Sequence, residues 1–176
     1  GSNGHNISVS GGDYGWLLNR EQETKDLVKL VKKGKVINKK PTYSQTAASY
    51  NNPDWGDTYV EINLTAQHLW FYKNGKLIVD SDFVSGNVSR GNGTHTGVFS
   101  ITYKTRDAVL GENSGADYRS PVSFWMPFNG NEGMHDASWR SKFGGSIYKT
   151  NGSHGCVNLP YSAAQKIYDN IEAKVP

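Results

Sequence analysis

The spacing of hydrophobic and polar residues predicts one helix in the first part of the chain. Leu27, Leu30 and Val31 recur at helical spacing, and Gly34 gives the helix a natural end. Asn19 and Gln22 have the spacing of a capping box at its start. The pattern therefore predicts a helix over residues 20–33.

Later in the chain the hydrophobic pattern changes to the two-residue period of β-strands. Residues 59–64 alternate, and the apolar and aromatic run at residues 68–73 follows them. Asn74 and Gly75 then form the strongest short hairpin signal. We predict a hairpin with its return strand over residues 76–84.

The remaining pattern predicts two more strands and a terminal helix. The strands are expected over residues 98–103 and 122–127, whereas residues 105–121 show no clear period and predict a long excursion. Residues 161–173 have helical spacing of Ala164, Ile167, Tyr168 and Ile171. Many short strands and few helices predict a mainly β sandwich with a packed C-terminal helix, preceded by a short helical N-terminal fragment.

Length and composition fit one domain plus a fragment. The turn-rich residues 51–54 mark a boundary, so we assign residues 1–56 to a linker and the tail of a preceding module, and residues 57–176 to the main domain. The net charge of +3 comes from a basic excess within residues 1–40, and no nucleic-acid motif accompanies it. No apolar run reaches the length of a membrane helix and no signal peptide is visible, so we expect any anchor or export signal to lie outside this chain.

The candidate chemistry centres on Cys156, the single cysteine of the chain. A lone cysteine is usually a small buried hydrophobe, but such a residue needs no Ser-His-Gly before it. Gly155 lets the backbone approach a reacting carbonyl, and the amides of Gly155 and Cys156 could form an oxyanion hole. His135 and His154 are candidate bases for a thiolate nucleophile.

These residues follow a spaced signature. A histidine is followed by 17 other residues and then by a six-residue block: His135, then Ser153-His154-Gly155-Cys156-Val157-Asn158. The pattern resembles the L,D-transpeptidase catalytic domain (the YkuD-type domain) of bacterial cell-wall enzymes, over about residues 57–176. The family usually has Thr-Pro-x-Gly in an earlier loop, where this chain has Thr94-His95-Thr96-Gly97. We interpret His95 as a polar loop residue.

The resemblance implies a substrate class and a location. It implies a peptidoglycan tetrapeptide stem as donor, a thioester on Cys156, an amine from a second stem as acceptor, and acylation of Cys156 by carbapenem β-lactams. It implies no cofactor and no metal, and a location outside the cytoplasm at the cell wall or outer membrane face. Residues 1–40 loosely resemble the tail of a peptidoglycan-binding module.

The resemblance also assigns roles within the site. It makes His135 the base. An acyl-transfer site also needs a group that orients the base, and Asp136, through its carboxylate or its carbonyl, or Ser153 could hold the ring in its useful tautomer. Two roles fit His154, which either lowers the pKa of the Cys156 thiol or contacts substrate.

Four more residues are candidates for the substrate side of the site. We expect Asn158 to tie down the backbone behind the nucleophile, and we assign it to the substrate-binding set together with the aromatic candidates for a peptide groove, Trp139, Tyr118 and Trp125.

Several other classes of protein share part of this residue set. Sortases need an arginine after the cysteine, and none follows Cys156; papain-like and NlpC/P60-like peptidases place cysteine before histidine. A chymotrypsin-like cysteine protease has the right order but needs a longer chain. Also compatible with these residues are an L,D-carboxypeptidase, a zinc site of His135, His154 and Cys156, and a non-catalytic wall-binding module.

Overall fold

The computed structural model describes residues 1–34, 36–112 and 118–176, and these form two compact units. The smaller unit is Tyr14–Gly56, and the larger unit combines Gly1–Asp13 with Asp57–Pro176. The first thirteen residues therefore group with the larger unit, although the sequence placed all of residues 1–56 in one segment. That residues 1–56 are the tail of a wall-binding module stays a prediction.

The smaller unit contains helix α1 (Arg20–Lys32) and a short antiparallel pair, β1 (Leu17–Leu18) and β2 (Tyr43–Gln45). The predicted helix is confirmed, and the Asn19 side chain accepts a hydrogen bond from the Gln22 N–H at 3.0 Å. The reciprocal half of the capping box was predicted wrongly. The Gln22 side chain donates to Asp26 one turn along instead, so the box is only half formed.

A buried carboxylate ties α1 to the segment that leads into β2. Glu23 accepts hydrogen bonds from the Thr42 N–H at 2.7 Å and from Lys39 Nζ at 2.6 Å. The hydrogen bond from the Lys39 ammonium has the largest effect in holding the pKa of Glu23 below its usual value, and the hydrogen bond from the Thr42 amide has the next largest. The helix is therefore anchored by polar contacts, and its apolar residues Leu27, Val28 and Val31 are exposed.

The larger unit holds two sheets and the terminal helix. One sheet is antiparallel in the order β3-β4-β5, and the other has the order β6-β7-β8-β9, in which only β8 and β9 run parallel among the described strands. The mainly β fold class with a C-terminal helix is confirmed. The strands are β3 (Tyr59–Asn63), β4 (His68–Lys73), β5 (Lys76–Asp82), β6 (Thr105–Leu110), β7 (Ser120–Asn129), β8 (Glu132–Asp136) and β9 (Val157–Leu159); the helices are α2 (Tyr148–Asn151) and α3 (Tyr161–Asn170), with a 3₁₀ turn at Val88–Arg90.

The predicted hairpin forms between β4 and β5. Its two turn residues, Asn74 and Gly75, have φ angles of 51° and 72°. Two successive left-handed residues make the turn whose twist matches paired strands, and Asn-Gly adopts it most readily. The return strand ends at Asp82, two residues earlier than predicted.

Two predictions for residues 98–121 were wrong. Residues 98–103 do not form a strand; instead, Ile101 exchanges backbone hydrogen bonds with Val175 and Lys174, and Thr102 donates to Pro127. The stretch read as an excursion contains β6, whose exposed side chains hide the strand period and whose Asp107 has a φ of 55°. Residues 113–117 of that excursion lie outside the described residues.

The hydrophobic core joins both sheets to α3. Helix α3 contributes Ala164 and Ile167, and the helix ends at Asn170, three residues before its predicted end. Lys104 Nζ donates to the carbonyls of Tyr168 at 3.1 Å and Ile171 at 2.7 Å, which satisfies groups that a helix end leaves free. The sheet residues of the core include Leu69, Phe71, Val79, Phe124, Met126, Met134, Val157 and Leu159. Among the described helices, none combines the length and apolar character that crossing a membrane requires.

The side chain of His68 lies between two carboxylates on the hairpin. Its Nδ1 lies 2.6 Å from Asp82 and its Nε2 2.5 Å from Asp80. Partial burial opposes the charged form, but the hydrogen bonds that the ring donates to Asp82 and Asp80 outweigh it and raise the pKa of His68 above its usual value. The charged histidine therefore stabilises the folded state.

We expect His68→Asn to destabilise the protein more at acidic than at alkaline pH. A raised folded-state pKa means that the contribution is complete below the unfolded pKa of about 6.5 and is lost as the pH rises through the folded value. Urea unfolding of both proteins across this range measures the difference. A double variant, Asp80→Asn with Asp82→Asn, should lose the same pH dependence; a difference between wild type and His68→Asn that stays constant with pH would contradict the assignment.

Candidate active site

The parallel pairing of β8 and β9 brings the distant histidine to the cysteine motif. His135 lies opposite Asn158, and Met134 lies opposite Val157. Met134 and Val157 are buried in the core, so the alternation of strands turns His135 and Asn158 to the other face of the sheet. Cys156 immediately precedes β9, two residues from Asn158.

The imidazole of His135 is buried and held in one tautomer. Only 3% of the residue is exposed, and its Nδ1 donates to the backbone carbonyl of Asp136 at 2.8 Å. That bond leaves Nε2 without the proton and able to accept one. Burial lowers the pKa of His135 below its usual value, and the charge of Arg140 adds to the lowering, although the Asp136 carbonyl opposes it. The ring is therefore a neutral base at pH 7.

The thiol of Cys156 is partly buried and protonated in the resting site. Burial raises its pKa to about 11, the Gly133 N–H works against this shift, and the Glu132 carboxylate adds to it. The sulfur also lies 3.4 Å from the carbonyl oxygen of Asn131. Forming the thiolate therefore requires a base.

The structure distinguishes among the groups considered for orienting His135. The Asp136 carbonyl holds the ring, whereas its carboxylate accepts the backbone N–H groups of Ser123 and Phe124, both at 2.8 Å. Ser153 Oγ donates to the Cys156 carbonyl at 2.5 Å and accepts the Gly155 N–H at 3.1 Å. The Asp136 carboxylate and Ser153 therefore brace the backbone around the site.

The expected oxyanion donors lie in a tightly bent loop. Gly155 has a φ of 124°, and a β-carbon placed there would come within 2.7 Å of Glu132 Oε1. Its carbonyl accepts from Thr94 Oγ1 at 2.7 Å, while its N–H is directed to Ser153. A residue with a side chain would be strained here for two separate reasons.

Aromatic rings surround the two histidines. The His135 ring lies between Trp125 and Trp139, with centroids at 6.0 and 5.9 Å, and Tyr118 stacks on the exposed His154 at 4.4 Å. Trp125 is buried and Trp139 is half exposed. Each of the three predicted aromatic residues therefore contacts one of the two candidate histidines.

Asn158 anchors the other edge of β9. Its N–H and carbonyl both pair with the backbone of Val84 at 2.9 Å. Its side-chain Oδ1 is buried and has no hydrogen-bond partner among the described residues.

Sequence reasoning did not identify Glu132 as part of this site. Glu132 begins β8, three residues before His135, and its side chain lies against Gly155. His95, interpreted as a polar loop residue, contacts the same carboxylate. No spacing rule joins these positions, because the β7–β8 turn and the loop before β6 bring them together only in the fold.

The zinc hypothesis has no support in the described parts of the chain. Within residues 1–34, 36–112 and 118–176, no three His, Cys, Asp or Glu side chains are grouped so as to hold a metal ion. His135 Nδ1 is occupied by a backbone carbonyl, and the ring of His154 stacks on Tyr118.

We expect Asp136→Ala to lower the free energy of unfolding by about 3 kcal/mol, because it leaves the buried Phe124 N–H and the partly buried Ser123 N–H unpaired. Urea denaturation measures the loss. Asp169→Ala, which removes an exposed carboxylate on α3, is the matched control and should change stability by less than about 0.5 kcal/mol. Equal effects of the two variants would show that the Asp136 carboxylate does not brace β7.

Comparison with known proteins identifies relatives of both the domain and the whole chain. The crystal structure of a Cys-to-Ser mutant of the Enterococcus faecium L,D-transpeptidase is 35% identical, with a TM-score of 0.81 over 95% of this chain and 66% of that one. The carbamoyl enzyme of Ldtfm with avibactam is 36% identical, with a TM-score of 0.81 over 95% and 65% of the two chains. The chain thus spans just under two thirds of these structures. No curated protein sequence matches it.

A shorter solved structure and a family profile each match part of the chain. The solution structure of the E. faecium catalytic domain acylated by ertapenem is 42% identical, with a TM-score of 0.59 over 66% of this chain and 92% of that one. The profile of the L,D-transpeptidase catalytic domain, YkuD, matches residues 57–176. The signature, the paired strands and these likenesses agree, and the chain belongs to the L,D-transpeptidase catalytic-domain family.

Proposed function

We propose that this chain is a cysteine-dependent L,D-transpeptidase that crosslinks peptidoglycan stems. The observation that carries the proposal is the β8–β9 pairing, which places a buried, neutral His135 opposite Asn158, two residues after Cys156. Membership of the family supports the reaction class. The tetrapeptide stem as donor and an amine of a second stem as acceptor follow from that likeness.

The first half-reaction forms the thioester. His135 Nε2 takes the proton from the Cys156 thiol, and the sulfur attacks the carbonyl that joins the third stem residue to the terminal D-Ala. The Gly133 N–H faces the sulfur and favours the thiolate. His135 then gives its proton to the departing amine, so that D-Ala leaves and the acyl group remains on Cys156.

The second half-reaction transfers the acyl group. An acceptor amine attacks the thioester carbonyl, His135 takes a proton from the attacking nitrogen, and the sulfur leaves as thiolate and regains that proton. The backbone amides of Gly155 and Cys156 are the proposed oxyanion donors; the Gly155 amide would turn from Ser153 to serve. All steps use groups of this chain and need no cofactor.

The rings around the site are proposed to line the stem-binding groove. Trp139 and the Tyr118–His154 stack have exposed surface, whereas Trp125 supports His135 from within. His154 is exposed and stacked, which favours its role as a substrate contact over a role in lowering the pKa of the thiol. Asn158 holds the strand behind the nucleophile.

The proposed substrate sets the place of action. Because peptidoglycan is crosslinked outside the cytoplasm, we place the enzyme at the cell wall or at the outer face of the membrane, and we propose that residues 1–56 help to bind the wall. The structures of relatives acylated by ertapenem and carbamoylated by avibactam support the proposal that β-lactams of the carbapenem class modify Cys156.

Intact mass measurement of the protein with a disaccharide-tetrapeptide tests the function. We expect a transient adduct equal to the stem minus D-Ala, and no adduct on Cys156→Ala. Adding an amine acceptor should convert the adduct to a crosslinked product. Release of free acid alone would indicate an L,D-carboxypeptidase, and a chain without adduct whose thiol remains titratable would refute an acyl-transfer role on this substrate.

We also expect ertapenem to add its full mass to Cys156, because a strained lactam carbonyl is open to attack by the same thiolate. Peptide mapping after exposure locates the modification. Cys156→Ala is the control and should keep its unmodified mass. An unmodified Cys156 after prolonged exposure would contradict the expectation.

A further inference from the structure

A carboxylate that the proposed reaction does not use lies against the nucleophile loop. Glu132 is 9% exposed; its Oε2 accepts from Asn129 Nδ2 and its Oε1 contacts His95 Nδ1, both at 2.9 Å. A β-carbon on Gly155 would lie 2.7 Å from Oε1, so the carboxylate packs against the residue that precedes Cys156. Burying a charged carboxylate costs free energy of folding unless hydrogen bonds or an opposite charge compensate for the lost water.

This carboxylate opposes the first step of the proposed reaction. Its negative charge disfavours the Cys156 thiolate, and the Asn131 carbonyl presents a second acceptor to the same sulfur. A role in activating the nucleophile is therefore excluded for Glu132. What the arrangement provides is a cluster of hydrogen-bond acceptors next to the atom that carries the acyl group.

We propose that the Glu132 carboxylate is the docking group for the acceptor, which it recognises as a primary ammonium. This inference rests on the proposed transpeptidase function and names the chemistry of its second substrate. An ammonium has three N–H donors and a positive charge, which match the carboxylate and the Asn131 carbonyl. An ionised carboxylate has about four acceptor positions, of which Asn129 and His95 use two.

His95 marks the side from which the acceptor enters. The side chain of His95 is 72% exposed, whereas that of Glu132 is 11% exposed, so the imidazole lies between the carboxylate and solvent. An arriving ammonium competes with His95 for Oε1. Glu132 only binds and orients the acceptor. The bound ammonium first releases one proton to solvent and becomes the free amine that attacks. The second proton, lost as the amide forms, goes to His135 and then to the Cys156 sulfur, as in the reaction above.

Two variants separate binding from folding. Glu132→Gln keeps the size of the side chain and removes its charge, and His95→Ala removes the competing imidazole while leaving the carboxylate in place. The full chain is first acylated with the disaccharide-tetrapeptide, and resolution of the adduct is then followed by mass against increasing glycinamide, a primary ammonium. Hydroxylamine, which is uncharged at neutral pH, serves as the matched nucleophile.

We expect Glu132→Gln to raise the KM for glycinamide about tenfold, the effect of losing one charged hydrogen bond. The rate with hydroxylamine should not fall in this variant. Its acylation by the donor should be at least as fast as that of the wild-type chain. His95→Ala should lower the KM for glycinamide, and this variant decides the case if Glu132→Gln does not fold.

Three results would overturn the inference. They are an unchanged KM for glycinamide in Glu132→Gln, an equal loss with glycinamide and hydroxylamine, and a raised KM for glycinamide in His95→Ala. If the wild-type chain never forms the adduct, both the proposed function and this inference are refuted.

Discussion

The backbone hydrogen bonds between β8 and β9 are the contacts on which the candidate site depends. About twenty residues separate these strands along the chain, yet their parallel register places His135 opposite Asn158. A slip of one residue would turn His135 into the core and Met134 toward the site. The register is held from both sides, because Val84 pairs with Asn158 while β8 pairs with β7.

That frame holds a candidate nucleophile and a candidate base that are both uncharged at rest. Burial favours the neutral imidazole of His135 and the protonated thiol of Cys156. The carbonyl of Asp136 sets the tautomer of the ring, and its carboxylate secures the neighbouring strand. One residue thus connects the orientation of the base to the stability of the sheet.

The sequence predicted the elements that depend on adjacent residues, but it did not predict the strand that depends on pairing with a distant segment. The Asn74-Gly75 turn and helix α1 follow from the preferences of a few adjacent residues, and both form. Strand β6 was missed because its stability comes from pairing with β7, which its side chains, none of them buried, do not reveal. Residues 98–103 have the alternation of a strand but find only isolated backbone partners.

The candidate site shows the same division. The spaced signature pointed to His135 and Cys156, but it left three possible groups for orienting the ring, and only the coordinates distinguish the Asp136 carbonyl from its carboxylate and from Ser153. Glu132 and His95 meet through loops far apart in the chain, so no pattern of neighbouring residues could join them.

The raised pKa of Cys156 also determines how the resting protein meets oxidants. Peroxides react with thiolates far faster than with thiols, and a sulfur oxidised to the sulfinic stage is generally not recovered. This chain has one cysteine and therefore no second thiol that could rescue it as an internal disulfide. A sulfur that stays protonated at rest is therefore protected from an oxidation that no other cysteine of this chain could reverse.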